Sequence, residues 1–251
     1  MGSIGISVVT ACFNASSTIE ATLDSVREQT FRSIEHVVID GSSSDGTWDI
    51  VAERRGSLAV AISEPDQGIY DALNKGIALS TGDVVGFLHA DDVYADSDVL
   101  GRVALAFEDP KVQAVYGDLE YLSRDDPARV IRHWQSGPFS RSKLAWGWMP
   151  PHPTLYVRRS MYARVGFFDL RYRIAADYDM ILRLFSQPDF KAVYIPTVLV
   201  RMRLGGASNR SLGNVVRKSL DDWRALRSNR VGGVGALCWK NFSKLGQFVR
   251  R

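Results

Sequence analysis

The sequence predicts an α/β fold built on a doubly wound, mostly parallel sheet, and three observations predict it. Segments of strand and helix character alternate at short spacing through roughly the first 95 residues, the signature of a parallel sheet with crossover helices. Val84 to Leu88 is a short apolar run bounded by turn residues, which reads as a strand buried on both faces. Successive strands also end in polar residues: Asn14 after the first, Asp40 after the second, Glu64 and Asp66 after the third, Asp91 and Asp92 after the fourth. Ligands of open parallel sheets bind beyond the carboxyl ends of the strands, so acids gathered there mark a site.

Each element follows from local pattern. Ile4 to Cys12 is rich in Ile, Val and Thr and reads as the first strand. Ser17 with Glu20 has the spacing of a capping box, and Ile19, Leu23 and Val26 recur at helical spacing, predicting a helix to about Gln29. Ile34 to Asp40 is the second strand, and Asp45 is placed to cap a helix over Thr47 to Arg54. Leu58 to Ser63 is the third strand, Ile69 to Ser80 a helix, and Val84 to Ala90 the fourth strand. The turn after the first strand reads Thr10-Ala11-Cys12-Phe13-Asn14-Ala15 and lacks Gly-x-Gly-x-x-Gly, which argues against a nicotinamide site.

The second half is less regular. Helices are expected over Asp96 to Phe107, Pro138 to Leu144, from Ser160, and over Ala175 to Gln187. Strands are expected over Ala114 to Leu122 and Ala128 to Trp134, as a pair, and over Thr154 to Arg158 and Ala192 to Met202. Trp146 to Pro153 has three prolines in its last four positions and is expected to be irregular. Trp146 or Trp148 suits either a sugar-stacking platform or the core. Leu204-Gly205-Gly206-Ala207-Ser208 reads as a loop; Val216, Leu220 and Trp223 give one more helix, and the stretch from Leu237 another.

With 251 residues, 45% of them hydrophobic, the chain can bury a sizeable core. No apolar run approaches the roughly 18 residues of a membrane span, and no signal peptide is expected, which points to the cytoplasm. Cys12 and Cys238 are too few for a disulfide framework or a metal knuckle. Net charge is +3, but from Val215 onward nine Lys/Arg face two Asp/Glu, a balance of +7 that leaves −4 on the preceding residues. Cys238, Phe242, Leu245 and Val249 share one helical face, widened by Trp239 and Phe248 and flanked by Lys240, Lys244, Arg250 and Arg251. That composition suits docking on an anionic membrane interface; packing on the chain's own domain or on a second subunit suits it equally.

Two adjacent carboxylates at a strand end, Asp91 and Asp92, are costly together unless a cation neutralises them, and their hard oxygens suit Mg or Mn bridging to phosphate. Asp71 and Lys75, at i and i+4, suit a helix-surface ion pair, and Asp179 and Arg183 at the same spacing read as one.

The runs VVTACFNASSTIEATLDSVREQ, VVIDGSSSDGTWDI, SEPDQGIYDALNKGIALSTGD and VGFLHADD together resemble the nucleotide-sugar half of family 2 glycosyltransferases, above all bacterial members that build surface and exopolysaccharides. The resemblance covers about residues 4 to 210 and implies a GT-A fold. It divides the chain into a nucleotide-sugar half over about 1–95, an acceptor half over about 96–210, and basic C-terminal helices over 211–251. By the same resemblance Thr10, Phe13 and Asn14 surround the nucleotide base and ribose, and Asp40 reads the base edge. Asp71 and Lys75 lie against the donor. Asp92, then Asp91, holds the metal, and His89 stands where relatives often carry Asn or Asp. Asp177 is the general base, in Ala175-Ala176-Asp177, where relatives more often have Glu-Asp. His152 faces the diphosphate or the acceptor, and Arg201 and Arg203 border the loop that closes on the diphosphate, where many relatives have His.

The implied reaction is one in-line displacement on a nucleotide-diphosphate sugar, with a UDP-sugar favoured over GDP- or dTDP-sugars and inversion at the anomeric carbon. A glycan or lipid-linked glycan is the expected acceptor, and nucleic acid is not expected as a partner. Two rival readings are a sugar-nucleotide pyrophosphorylase, whose Gly-rich triphosphate loop is absent, and an inactive sugar-nucleotide sensor, against which the intact Asp91, Asp92 and Asp177 weigh.

Overall fold

β1 (Ile6–Cys12) is buried along its whole length, as a strand of Ile, Val, Thr and Ala must be when it pairs on both edges and is covered on both faces. The computed structural model describes residues 4–123, 125, 126, 128–203, 212–233, 235 and 236. In it β1 pairs in parallel with β2 (Ile34–Asp40) on one side and β4 (Val84–Phe87) on the other, and β2 pairs in parallel with β3 (Val60–Ser63). The crossovers are α1 (Ile19–Arg27), α2 (Thr47–Glu53) and α3 (Ile69–Leu79). Ile19, Leu23 and Val26 are buried as their spacing predicts. The capping box does not form: Thr18 occupies the N-cap without a side-chain bond, and Glu20 pairs with Arg54 instead. Gly46, in the left-handed region, holds the N-cap of α2, and Asp45 acts from one residue further out. Its carboxylate accepts the Thr47 and Ser16 N–H groups, both at 3.0 Å, and so ties the starts of α1 and α2 together.

The fourth strand ends earlier than predicted. The carbonyl of His89 accepts the Asp92 N–H at 3.0 Å, which turns the chain and launches a short strand that the sequence did not reveal, β5 (Asp92–Tyr94). Beyond this point lie α4 (Val99–Ala106), β6 (Ala114–Leu122), β7 (Val130–Trp134), α5 (Arg141–Leu144), β8 (Tyr156–Arg158), α6 (Arg159–Val165), α7 (Ala176–Phe185), β9 (Ala192–Arg203) and α8 (Leu212–Ser228). One further turn of 3-10 helix, His152–Thr154, interrupts the segment expected to be irregular, with Pro153 at its start.

The strands form one sheet in the order β3-β2-β1-β4-β8-β6-β9-β5, with β7 on β6. The expected predominance of parallel pairs holds only in the first half. β4–β8, β8–β6, β6–β7 and β9–β5 are antiparallel, and β6–β9 is parallel, so the sheet is mixed. Both faces are covered. Val9, Val37, Leu73, Tyr116, Ile181 and Leu226 belong to one apolar cluster, and Ile6, Val8, Leu100, Val103, Val115 and Val200 to the other. α8 packs on α7 through Ala225 and Leu226, and Asn229 Nδ2 donates to Asp179 Oδ1 at 2.9 Å. Asp179 meets Arg183 at 2.8 Å, the i, i+4 pair the sequence suggested. The loop at 204–208 and the amphipathic stretch from Leu237 lie outside the described residues. Among the described residues no helix is long and apolar enough to cross a membrane.

Candidate active site

At the carboxyl ends of β1 to β3, Phe13 is 64% exposed and Asn14 sits at φ +48°, a left-handed conformation that Asn tolerates better than most residues. Asn14 bridges to the loop after β2: its N–H donates to Ser43 Oγ at 2.9 Å, and its Oδ1 accepts the Ser44 N–H at 3.0 Å. Asp40 is fully buried. Its carboxylate accepts the Ser43 N–H at 3.0 Å, the Ser63 hydroxyl at 2.6 Å and the Ser43 hydroxyl, so it pins the loop rather than facing outward. Asp66, half-buried at this edge, accepts the Gly68 N–H on Oδ1 at 2.8 Å. A Cβ added to Gly41 would lie 2.6 Å from Asp66 Oδ2 and 3.3 Å from the Phe13 ring, so a ring face and a carboxylate close on the Gly41 backbone, where no side chain fits.

Thr10 is fully buried, with its hydroxyl 3.0 Å from Nε2 of the buried His36.

α3 begins after Gly68, at φ +113°. Asp71 accepts the Gln67 N–H at 3.0 Å. Lys75 reaches Glu64 at 2.7 Å, the Pro65 carbonyl at 3.0 Å and Asp71 at 3.8 Å, so Asp71 and Lys75 brace the β3–α3 loop as an ion pair. Two residues of the same helix cross to the other half. Asn74 exchanges two 2.9 Å bonds with the Phe168 backbone. The Tyr70 hydroxyl lies 2.7 Å from the Ile174 carbonyl and 3.2 Å from Asp177 Oδ1.

Asp177, in the first turn of α7, also accepts the Tyr178 N–H at 2.8 Å. Ring contacts run from Tyr70 to the strand end that carries Asp91: Phe168 meets the rings of Tyr70 at 5.5 Å and His152 at 5.6 Å, and His152 stacks on His89 at 5.9 Å, so Asp177, Tyr70, Phe168, His152 and His89 are contiguous. Burial lowers the affinity of both histidines for a proton, with His152 pushed down to about 4. Burial and the phenol's proximity to Asp177 push the Tyr70 hydroxyl up.

Asp92 has no exposed surface, and neither carboxylate oxygen has a hydrogen-bond partner. Burial, and then the charge of Asp91, raise its pKa well above the usual carboxylate range. The Thr22 hydroxyl fixes its backbone by donating to the Asp92 carbonyl at 2.8 Å. β5 pairs Asp92 with Met202, between Arg201 and Arg203 on the neighbouring strand. Arg201 Nε meets Glu120 at 3.1 Å, whereas Arg203 Nε is buried without a partner. The donor set fits a hard divalent cation that takes most of its ligands from a diphosphate. Two adjacent carboxylates are present, one with both oxygens unpaired, and no group of three metal-binding side chains occurs among the described residues.

Trp148 is a core residue, donating to the Ser136 carbonyl at 3.0 Å and packing on Tyr116 and Phe185, whereas Trp146 is 59% exposed. The sequence reading passed over Tyr70 and left Asp66 and His89 unselected. All three lie within the quoted motifs, but only the fold shows what each one touches.

The profile described as Glycosyl transferase family 2 matches residues 7–166. The chain is 35% identical over 208 residues to a PGL/p-HBAD biosynthesis glycosyltransferase of Mycobacterium bovis (strain BCG / Pasteur 1173P2), an overlap of 81% of this chain and 78% of that protein. It is 39% identical over 183 residues to an uncharacterized glycosyltransferase of Mycobacterium tuberculosis (strain ATCC 25618 / H37Rv), covering 71% of this chain and 68% of the relative. Among solved structures, a mannosyltransferase from Pyrobaculum calidifontis in complex with GDP-Man and Mn2+ superposes with a TM-score of 0.67 at 23% identity, over 93% of this chain and 66% of the other. S. aureus TarS 1-349 in complex with UDP-GlcNAc gives a TM-score of 0.68 at 16% identity, over 90% of this chain and 65% of the other. At these identities the two structures establish likeness of fold.

Proposed function

The chain belongs to glycosyl transferase family 2, and from that premise we propose that it moves a sugar from a nucleotide-diphosphate donor to a hydroxyl of a glycan or lipid-linked glycan in polysaccharide assembly, with a UDP-sugar favoured over GDP- and dTDP-sugars. The observation that carries this reading is Asp92, fully buried next to Asp91 in the chain with both carboxylate oxygens unpaired, a donor set suited to a cation that also holds a diphosphate.

Phe13 offers its exposed ring to the nucleotide base, and Asn14 and Asp40 hold the loops that frame it. Asp66 supplies a carboxylate for the base edge, the part first expected of Asp40. A divalent cation, Mg or Mn, held by Asp92 and Asp91 would neutralise the diphosphate oxygens of the donor. Arg203, with Arg201 beside it, adds guanidinium donors to that end, a geometry suited to phosphate. Asp177 takes the proton of the acceptor hydroxyl as that hydroxyl attacks the anomeric carbon, and one displacement inverts the centre. Tyr70 holds the Asp177 carboxylate in orientation. Asp71 and Lys75 keep α3 and its loop in place behind the donor. The basic segment from Val215, at 9 − 2 = +7, supplies attraction to an anionic membrane surface that carries the acceptor. Vesicle binding that weakens with salt is expected from it.

The test is release of nucleoside diphosphate from a panel of UDP-, GDP- and dTDP-sugars with Mn2+ or Mg2+, followed by EDTA. Release that needs the metal is expected for at least one donor. Undiminished release in EDTA would remove the metal from the reading, and no release from any donor would favour a sensor.

A further inference from the structure

Alternation along the end of β4 and the turn after it sets Phe87 and His89 two residues apart, and the 3-10 turn at His152 slides an imidazole between them. His152 stacks on Phe87 with centroids 5.0 Å apart and planes 23° apart, and on His89 at 5.9 Å and 28°. Phe168 closes the side of the column edge-on, 5.6 Å from His152. Packing explains the rings but not the nitrogens. His152 is only 7% exposed and its Nε2 has no hydrogen-bond partner; Nδ1 of His89 is likewise buried and unpartnered. Each unpaired buried polar atom carries an uncompensated desolvation cost, and two phenyl rings would fill the same space without it.

The column stands where a substrate must pass. His89 lies two residues before Asp91, and Phe168, edge-on to His152, also meets the ring of Tyr70, whose hydroxyl lies 3.2 Å from Asp177 Oδ1. A donor anchored by its diphosphate beside Asp91 and attacked at its anomeric carbon by a hydroxyl on Asp177 lays its sugar ring across that interval. Sugar hydroxyls donate and accept alike, so they satisfy a neutral imidazole nitrogen in either tautomer.

We propose that His89 and His152 are specificity-determining residues that hydrogen-bond hydroxyls of the transferred sugar, rather than the diphosphate or the acceptor. The proposal rests on the reading of Asp91 as donor-side and Asp177 as base. Nε2 of His152 and Nδ1 of His89, buried and unpartnered on stacked rings, suit the hydroxyls of a neutral sugar ring.

The experiment compares the affinity of a sugar nucleotide with that of its sugar-free diphosphate, by calorimetry on the full chain with Mn2+. The pair is whichever of UDP-glucose, UDP-N-acetylglucosamine or GDP-mannose raises the melting temperature most, with its matching UDP or GDP. His152→Phe preserves the stack and removes the nitrogens; His152→Gln restores a polar group. For His152→Phe the expected result is an affinity for the sugar nucleotide lower by about 10-fold or more, with that for the diphosphate within about twofold, and partial recovery in His152→Gln. Equal loss for both ligands, or no loss for either, overturns the proposal, and a rise in acceptor KM alone assigns the pair to the acceptor. If His152→Phe does not fold, the same ratio in His89→Phe decides: a loss confined to the sugar nucleotide supports the proposal and any other pattern overturns it. Asp177→Asn serves as the separate control. Surviving turnover in that variant breaks the base assignment without altering the binding ratio.

Discussion

At the residue scale, Asp92 shows its purpose by its cost. Burial without a partner, beside Asp91, raises its pKa, so the metal-free fold loses stability as pH rises from the ordinary carboxylate range through the raised value. Asn keeps the size and removes the charge. Metal-free Asp92→Asn is therefore expected to melt no lower than the parent at neutral pH. Mn2+ should raise the melting temperature of the parent and not of the variant, and diphosphate release should fall about 100-fold or more. Thermal shift with and without Mn2+ checks the first two points, and a metal-free variant that melts well below the parent would assign Asp92 to the fold instead. Tyr70 carries a smaller effect. Removing its hydroxyl loses one contact to Asp177 and one to the Ile174 carbonyl. Tyr70→Phe is expected to lower kcat about 3- to 10-fold and leave donor KM unchanged, the worth of one hydrogen bond. Steady-state kinetics on the purified variant checks that split.

At the element scale, α3 lies against β1 closely enough that a Cβ on Gly76 would come within 2.2 Å of Val9 Cγ1. Val9 is fully buried and stiff at χ1, so it cannot move aside cheaply. Gly76→Ala should cost about 1–3 kcal/mol in urea unfolding, and Val9→Ala on that background should recover part of it. The helix was legible in the sequence because its apolar residues repeat at helical spacing; its depth of packing was not. The same division runs through the fold. β1 to β4 were legible because each is a local run of β-formers closed by turn residues. In the second half β6 to β9 and the β6–β7 pair were legible too, but the order of the sheet was not, because β8 pairs with β4 and β9 with β5 across long stretches of chain that local pattern does not encode. At the site, the acids at the strand ends were legible as a set. Their division of labour was not: whether Asp40 faces outward or is consumed by Ser43 and Ser63 depends on side chains from another strand. Likewise, nothing near His89 in the sequence announces His152.

At the scale of the whole molecule, α3 ties the two halves together. It follows the loop that carries Glu64 and Asp66 at one end, and through Tyr70 and Asn74 it grips the loop before α7 and Asp177. The shared core also sets the pH response of stability. Burial pushes His36 and His152 down from 6.5 to about 4. A neutral folded imidazole that charges on unfolding contributes stability that is complete above about 6.5 and lost as pH falls toward 4, on the order of 3 kcal/mol for each. His36→Gln should flatten the acid side of the curve of melting temperature against pH; an unchanged slope would place the acid sensitivity elsewhere. The claim that unites these scales is that the cluster around Asp177 performs inverting transfer with Asp177 as its base. Its most direct test is turnover of Asp177→Asn, followed as nucleoside diphosphate release, beside donor affinity by calorimetry. The expected result is a fall in kcat of about 100-fold or more, with donor Kd within about twofold of the parent. Turnover that survives while donor affinity collapses would contradict it, because Asp177 would then be a binding group and the base would lie elsewhere.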